Sequence, residues 1–516
     1  MESATPTRVR PGPMSPAALR AGVLSSPARI AFVAMCVAAL IGYLAFPTYP
    51  TYDSFYALLW GRDLLHGHLP DLQVYRAPTE HPLAIAFGML CSIFGQGGAR
   101  LMVLGSIASF VAAVAGIYRV GRLAFGPLVG AVAALLLLSR FFVENLAAQG
   151  YLDISYLALI LWALALELER RRRGTAVFVL LAAAGLLRPD AWVLSGVYWL
   201  WCCWPGLRSR AGTPRDPSPR RMLGYLALAA SAPLLWAAFD AIVTGNPLYS
   251  LTATAGLAQE LERTQGFSGV LGSVWSYSVR IDHLPVLLGA IAGVALAVLL
   301  TPRRALVPLA ALVLLYGVYL LEGAGGASVI DRYLMGAATV ALVFCAVAVG
   351  GWWMLRPGTA LRRVWIAFAI VLVAYGALSA VSTINLSNLR TTLAEHEDFH
   401  QGLAAALHSP RVAAALRHCP LLSLPNNKLI PDARWILDSV GQRNILARSQ
   451  ARNDADRGAG ELSARLKRGS VAVYPLGSAV FSEAIVDVGD DPLDQVPPKD
   501  FRRIYTSRYY AVYANC

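Results

Sequence analysis

Lysine is nearly absent from this chain of 516 residues: Lys428, Lys467 and Lys499 are the only three, so arginine supplies 41 of the 44 basic side chains. That skew reflects codon usage in a GC-rich bacterial genome more than it reflects any site. Charge of either sign is also scarce, at 15% of residues against 56% hydrophobic. Soluble domains carry about 25% charged residues, so the composition excludes an ordinary soluble enzyme and points to a polytopic membrane protein. Cysteine is sparse too, with seven in all and no CxxC or zinc-finger spacing among them. Cys36, Cys91, Cys202, Cys203 and Cys345 fall in apolar stretches and read as small core residues. Cys419 and Cys516 lie in the polar C-terminal region and would be free to pair if that region faces an oxidising compartment. No short-period repeat is visible. A cleavable signal peptide is lacking as well, because the apolar stretch before Pro47 has no small-residue cleavage site and leads straight into a polar loop.

The formal net charge of +13 would suggest a nucleic-acid partner in a soluble protein. Here the arginines cluster in short loops between apolar runs, which is the positive-inside signature, and no nucleic-acid partner is expected. Residues 1–29 carry Arg8, Arg10, Arg20 and Arg29 and read as a cytoplasmic tail. Residues 30–46, with a few flanking positions, are long enough to cross about 30 Å of hydrocarbon at about 1.5 Å per residue. Further spans are read at 101–118, 128–142, 154–168, 176–187, 192–204, 222–243, 284–300, 306–321, 334–355 and 364–381. That makes an all-α polytopic membrane domain of about eleven spans over 30–384, multi-pass in the plasma membrane with the N-terminus inside. Twenty arginines then fall in inside segments and eight in outside loops and outer span ends, a bias that supports this orientation and that reading 82–94 as a span would shift. From 385 to 516 the composition becomes that of a soluble domain. Helical patterns at 393–407 and 412–416 precede short strands at 470–474, 484–488 and 509–513, so a small α/β extracytoplasmic domain is expected.

The first outward loop, residues 47–82, concentrates the unusual chemistry. Phe55, Leu58, Leu59 and Leu65 recur at near-helical spacing, which predicts a short amphipathic helix in the headgroup plane with Asp53 near its start. The apolar run 82–94 is only about 20 Å long as a helix and reads as re-entrant or surface-lying. Asp53, Glu80 and Asp153 all fall on the outer side at the ends of apolar segments, where an acid is costly to hold and is by default a functional candidate. A group-transfer enzyme needs a carboxylate within reach of an acceptor hydroxyl and cationic groups or a metal for the departing phosphate. Arg76, His81, Arg188 and Arg332 lie on the same face.

Each residue also has a plainer reading. Asp53 is as well explained as the N-cap of a helix starting near Ser54, and Asp153 as the cap of the span after it. Glu80-His81 fits an interfacial pair, Arg188-Pro189-Asp190 a tight reversal, and Asp331-Arg332 a surface ion pair. The Trp-rich stretch 199–204 reads as an interfacial aromatic belt.

Taken together, an N-terminal span, an outward loop with an early Asp53, Glu80-His81-Pro82 before an apolar segment, a second outward loop with Asp153, and a late Arg332-Tyr333 resemble the GT-C membrane glycosyltransferases. The likeness is to the branch of protein O-mannosyltransferases and lipid A aminoarabinose transferases, and it covers residues 30–340. It implies that Asp53 is the catalytic acid of the first loop, with Tyr52 beside it at the substrate. It also implies that Asp153 is the acid of the second loop and that Arg332 and Tyr333 sit near a lipid phosphate. Glu80 and His81 match a His-Pro region where the Glu helps hold a metal in some members. Many relatives have Asp-Glu at the first position and this chain has Asp53-Ser54, which leaves a divalent metal open.

The resulting expectation is an inverting glycosyltransferase that takes a sugar from a polyprenyl-phosphate donor and gives it to a glycan, lipid or protein acceptor outside the plasma membrane. Asp53, Asp153 and Glu80 are its catalytic candidates; Tyr52, Arg76, His81, Arg188, Arg332 and Tyr333 are its substrate-binding candidates. Two alternatives stand beside it. A lipid-linked-glycan flippase would line a path through the spans with polar groups, of which Asp240 is one. A glycan ligase or polymerase with a diphosphate donor would use a catalytic His in an outer loop, where His283 lies.

Overall fold

In a bilayer every backbone polar group must be satisfied within the protein, so the apolar runs of this chain become helices. A computed structural model describes residues 27–208, 218–419, 421–438, 444–456, 458–477 and 496–516. The expected tail up to residue 26, most of the Arg-rich loop 206–221 and the expected strand 484–488 lie outside the described residues. Helix α1 (Pro27–Ala45) is followed by α2 (Tyr52–Leu65) and α3 (Pro82–Ser92), which flank the first loop. Next come α4 (Gly98–Phe125), α5 (Pro127–Leu138), α6 (Phe141–Ala148), α7 (Asp153–Glu169), α8 (Thr175–Gly185), α9 (Asp190–Arg208), α10 (Pro219–Thr244) and α11 (Tyr249–Glu260). The membrane part closes with α12 (Gly266–Asp282), α13 (Leu284–Leu300), α14 (Pro302–Ala324), α15 (Asp331–Gly350) and α16 (Ala360–Thr383).

Every run read as a span is helical, but the count of full crossings differs from eleven. Among the described residues six helices are long and apolar enough to cross a membrane, and eight if each of two bent pairs is one span. The difference is one of length and breakage. The run 128–142 is broken at Ser139-Arg140, where α5 and α6 meet at 61°, and α13 is bent by 105° from α12. Helix α8 has only 11 residues, about 17 Å at helical rise. Helix α3, expected as re-entrant or surface-lying, is likewise 11 residues.

The first-loop helix departs from expectation. Instead of lying exposed among headgroups, α2 is buried from Ser54 to Asp63, with Arg62 and Asp63 at 3% and 1% exposure. One face packs backbone to backbone on α3, where a Cβ at Gly88 would collide with the Ala57 carbonyl and one at Gly61 with the Met89 amide. The polar face is covered by the C-terminal segment, whose side chains a periodicity argument does not see.

That segment begins with α17 (Leu386–Leu407) and α18 (Pro410–His418). A five-stranded sheet follows, with β1 (Leu422–Leu424), β2 (Ile445–Ala447), β3 (Val471–Pro475), β4 (Arg502–Thr506) and β5 (Tyr510–Ala514) in the order β2-β1-β3-β5-β4. Strands β2, β1 and β3 run parallel, and β5 joins antiparallel between β3 and β4. The connecting helices α19 (Ile430–Ile436), α20 (Arg448–Asp456) and α21 (Glu461–Arg468) lie between strands. Phe399, Leu403, Leu424, Ile436, Val473 and Val512 form a core separate from that of the membrane helices. Cys419 and Cys516 are joined by a disulfide, Cα to Cα 5.8 Å, which ties the last residue back to the start of the sheet.

Candidate active site

Several helix ends and loops meet at a cavity of about 440 Å³ between the membrane helices and the C-terminal segment. Helix α2 brings Tyr52 and Asp53, the end of the first loop brings Arg76 and His81, and the start of α15 brings Arg332 and Tyr333; all six line the cavity. Helix α15 is buried along almost its whole length, from Leu334 to Ala348, so Arg332 is carried on the most rigidly packed element of the molecule.

Asp53 does not cap its helix. Thr51 occupies that position, its hydroxyl accepting from the Ser54 amide at 3.4 Å, and Asp53 Oδ2 instead accepts from Arg332 at 2.9 Å. Ser54, which stands where a second acid was a possibility, donates its hydroxyl to the Gly150 carbonyl at 2.6 Å and so ties the first loop to the second. Asp153 also makes no cap. It opens α7, accepts from Arg188 at 2.6 Å through Oδ1, and lies 3.7 Å from Arg332 through Oδ2. Arg188 in turn donates to Asp190 at 3.1 and 2.9 Å. Its guanidinium sits 4.1 Å from the Tyr333 ring centroid and 5.3 Å from that of Tyr156. The Arg188-Pro189-Asp190 reversal is thus a clamp on Asp153 as well as a turn.

These contacts form one chain, Asp53 to Arg332 to Asp153 to Arg188 to Asp190. Its inner members Asp153 and Arg188 are 4% and 6% exposed at their side chains, while Asp53 and Arg332 are 19% and 22% exposed. Buried charges of opposite sign hold each other in place because leaving either alone out of water is costly. The outer pair, half-open to the cavity, is the part that a ligand can rearrange. Arg76 is engaged on the other side of the cavity, its Nε donating to Glu260 at 3.0 Å and its carbonyl accepting from the Tyr52 hydroxyl at 3.0 Å.

Glu80 does not join this cluster. Ser250 Oγ lies 2.5 Å from Glu80 Oε1 and 2.5 Å from Asp240 Oδ2, and it also accepts from the Trp236 indole at 2.7 Å. One hydroxyl has one proton to give, and Asp240 Oδ2 already accepts from the Ser250 amide. The simplest complete arrangement therefore puts a proton on Glu80 itself. Burial and the neighbouring Asp240 push the Glu80 carboxyl upward from its ordinary value in agreement with this count. Asp240, the polar group expected near an outer span end, is absorbed in the same contact.

Sequence reasoning missed Gln149, Tyr151 and Asn427, which also line the cavity. Tyr151 stacks near Arg332, 5.2 Å from its ring centroid to the guanidinium, and sits just before Asp153; an aromatic two residues from a candidate acid was the available signal. Tyr151 also borders a second cavity of about 510 Å³, lined mainly by apolar residues such as Leu83, Phe87, Met102, Leu159, Trp162 and Leu187.

The arrangement can be compared with solved structures. ArnT from Cupriavidus metallidurans bound to undecaprenyl phosphate matches with a TM-score of 0.59 at 13% identity, over 95% of this chain and 98% of that one. Its apo form matches at 0.57 and 14%, over 95% and 99%. The fold is GT-C. A third GT-C structure, the Archaeoglobus fulgidus oligosaccharyltransferase tethered with an acceptor peptide, matches at 0.50 and 13%, over 96% of this chain and 75% of that one. No family model and no curated protein sequence matches the chain.

The GT-C fold leaves the expected metal to be judged from the donors. Among the described residues no group of three or more His, Cys, Asp or Glu side chains gathers as a metal ion requires. Glu80 is committed to Ser250, and Asp53 and Asp153 are matched by guanidinium groups, so His81 has no uncommitted carboxylate beside it with which to hold an ion. Glu80 and His81 do not fit a divalent ion as a pair.

Proposed function

We propose that this multi-pass membrane protein transfers one sugar from a polyprenyl-phosphate-linked donor to an acceptor hydroxyl on the external face of the plasma membrane. The observation that carries the reading is the Asp53–Arg332 pair at the wall of a cavity that adjoins an apolar one, with Asp153 behind Arg332. A lipid phosphate needs a cation near the boundary between a wet and a greasy space, and Arg332 lines the first cavity 5.2 Å from Tyr151, which borders both. Prenyl units fit the apolar cavity, and the solved relative with undecaprenyl phosphate supports the same class of donor.

In the reaction Asp53 takes the proton of the acceptor hydroxyl as its oxygen bonds to the anomeric carbon. The bond from that carbon to the phosphate oxygen breaks, and its electron pair leaves with the phosphate, so configuration inverts. The Asp53–Arg332 contact has a consequence for timing. A bound phosphate competes with Asp53 for Arg332, and drawing the guanidinium away frees the Asp53 oxygen for the acceptor hydroxyl. Asp153 and Arg188, already saturated, act by holding Arg332 within reach of both. Arg76 faces the same cavity as a further positive group, and Glu80 steadies the turn that presents His81.

The test is an assay of membranes bearing wild type or Asp53→Asn with radiolabelled polyprenyl-phosphate sugars. Loss of a positioned general base should lower transfer by about 10²-fold or more. Equal transfer by both would remove Asp53 from the mechanism.

A further inference from the structure

Three buried polar atoms on the cavity wall have no hydrogen-bond partner among the described residues: Nδ1 of His81, Oδ1 of Asn427 and the hydroxyl of Tyr510. The last two belong to the C-terminal segment, on residues only 4% and 0% exposed. Folded proteins seldom leave such atoms unmatched without a reason. The proposed transfer step uses neither Asn427 nor Tyr510.

The orientation of Asn427 follows from its neighbours. The Tyr52 hydroxyl spends its proton on the Arg76 carbonyl at 3.0 Å, so it can only accept from Asn427, whose Nδ2 lies 3.1 Å away. The amide nitrogen is thereby fixed on Tyr52 and the carbonyl oxygen is left as an unmatched acceptor. Tyr52 is the residue before Asp53. A group that donates to Asn427 Oδ1 is therefore delivered beside the carboxylate that would receive a proton. Around these atoms the wall is aromatic, with Tyr49, Phe55 and Phe399 joining Tyr510.

We infer that the C-terminal segment forms an acceptor subsite for a neutral saccharide, with Asn427 Oδ1 and the Tyr510 hydroxyl matching sugar hydroxyls and the aromatic rings covering an apolar sugar face. This rests on the transferase reading and chooses among its acceptors. An unmatched acceptor oxygen calls for a hydroxyl donor and repels the oxygens of a phosphate. A peptide acceptor held as an added strand would need a free sheet edge at the cavity, yet Tyr510 comes from β5, which is paired on both sides.

The full-length protein in nanodiscs is titrated with three neutral disaccharides (mannobiose, cellobiose and arabinobiose), a Ser/Thr tripeptide and glycerol 3-phosphate, and binding is read by saturation-transfer NMR. At least one disaccharide should bind, and Asn427→Ala and Tyr510→Phe should each weaken it by about threefold to tenfold, the worth of one hydrogen bond. Tyr510→Phe removes only an unmatched hydroxyl and should unfold at the wild-type temperature, which keeps the test apart from misfolding. The inference is overturned if no disaccharide binds, if only the peptide or glycerol 3-phosphate binds, or if both variants bind the disaccharide as wild type does. Measuring transfer beside binding separates the two claims. Saccharide binding by a wild type that transfers no sugar would sink the transferase reading and leave the subsite, whereas transfer to peptide alone would do the reverse.

Discussion

Glu80 is the residue whose protonation the structure makes measurable. It is buried, shares Ser250 with Asp240, and holds its proton to higher pH than a free glutamate. In the unfolded chain it ionises near the ordinary value of about 4.3. Above that pH the folded protein binds more protons than the unfolded one, so stability must fall as pH rises, until Glu80 ionises in the folded state as well. Thermal unfolding of wild type between pH 5 and pH 8, a range set by the experiment and lying above about 4.3, should show this decline. Glu80→Gln, which keeps the donor to Ser250 and cannot ionise, should flatten the part due to this site. Identical slopes would mean that Glu80 is ionised throughout. The identities of Asp53, Asp153, Arg188 and Arg332 were legible in the sequence because charges at the ends of apolar runs are few and expensive. Their pairings were not. Whether Glu80 faces Asp153 or Ser250 depends on where α10 and α11 pack, and a spacing of 170 residues carries no such information.

At the scale of elements helix α2 is held by contact between backbones. Gly61 and Gly88 let α2 and α3 approach so closely that a methyl group on either would overlap the partner's main chain. Small residues at such crossings are how membrane helices associate without a hydrophobic driving force between them. Gly88→Ala should therefore destabilise by about 1–3 kcal/mol, the usual range for overpacking, and should displace Asp53 with it. Gly42→Ala in α1, where nothing lies within 4 Å, should be close to neutral. Equal unfolding temperatures for the two variants would show that the close approach is absent. The helices themselves were readable from hydropathy, since each apolar run is helical. Their breaks were not, because Arg140 sits inside a run that scores as continuous and its guanidinium is satisfied by the Leu136 carbonyl and the Asp282 carbonyl of another helix. The amphipathic reading of α2 failed for the same reason: Arg62 and Asp63 look like a wet face until α19 is laid on it.

At the scale of the whole molecule the C-terminal segment belongs to the site as much as the membrane helices do. Arg62 donates to Asp438 at 2.8 Å and to the Arg434 carbonyl at 3.0 Å, while Arg434 lies 3.6 Å from Asp63. Helix α2 is thus gripped on its far side by the buried Arg434, its carbonyl and the exposed Asp438, all from more than 370 residues later. Such a grip requires both parts to face the same compartment, and the Cys419–Cys516 disulfide is of the kind that persists in an oxidising one. The arginine bias read from the sequence leads to the expectation that this face is outside. Both arguments meet in one measurement. Denatured, unreduced protein treated with a maleimide polymer should gain label at the five free cysteines only, and reduction beforehand should add two more. In intact spheroplasts, protease added outside should trim a tag placed after Cys516 and leave one placed before Met1 untouched. Seven labels without reduction, or trimming of the N-terminal tag alone, would place the cavity on the cytoplasmic side. A lipid-linked donor would then have to be used before it crosses the membrane, and Arg332 would meet its phosphate from the other leaflet.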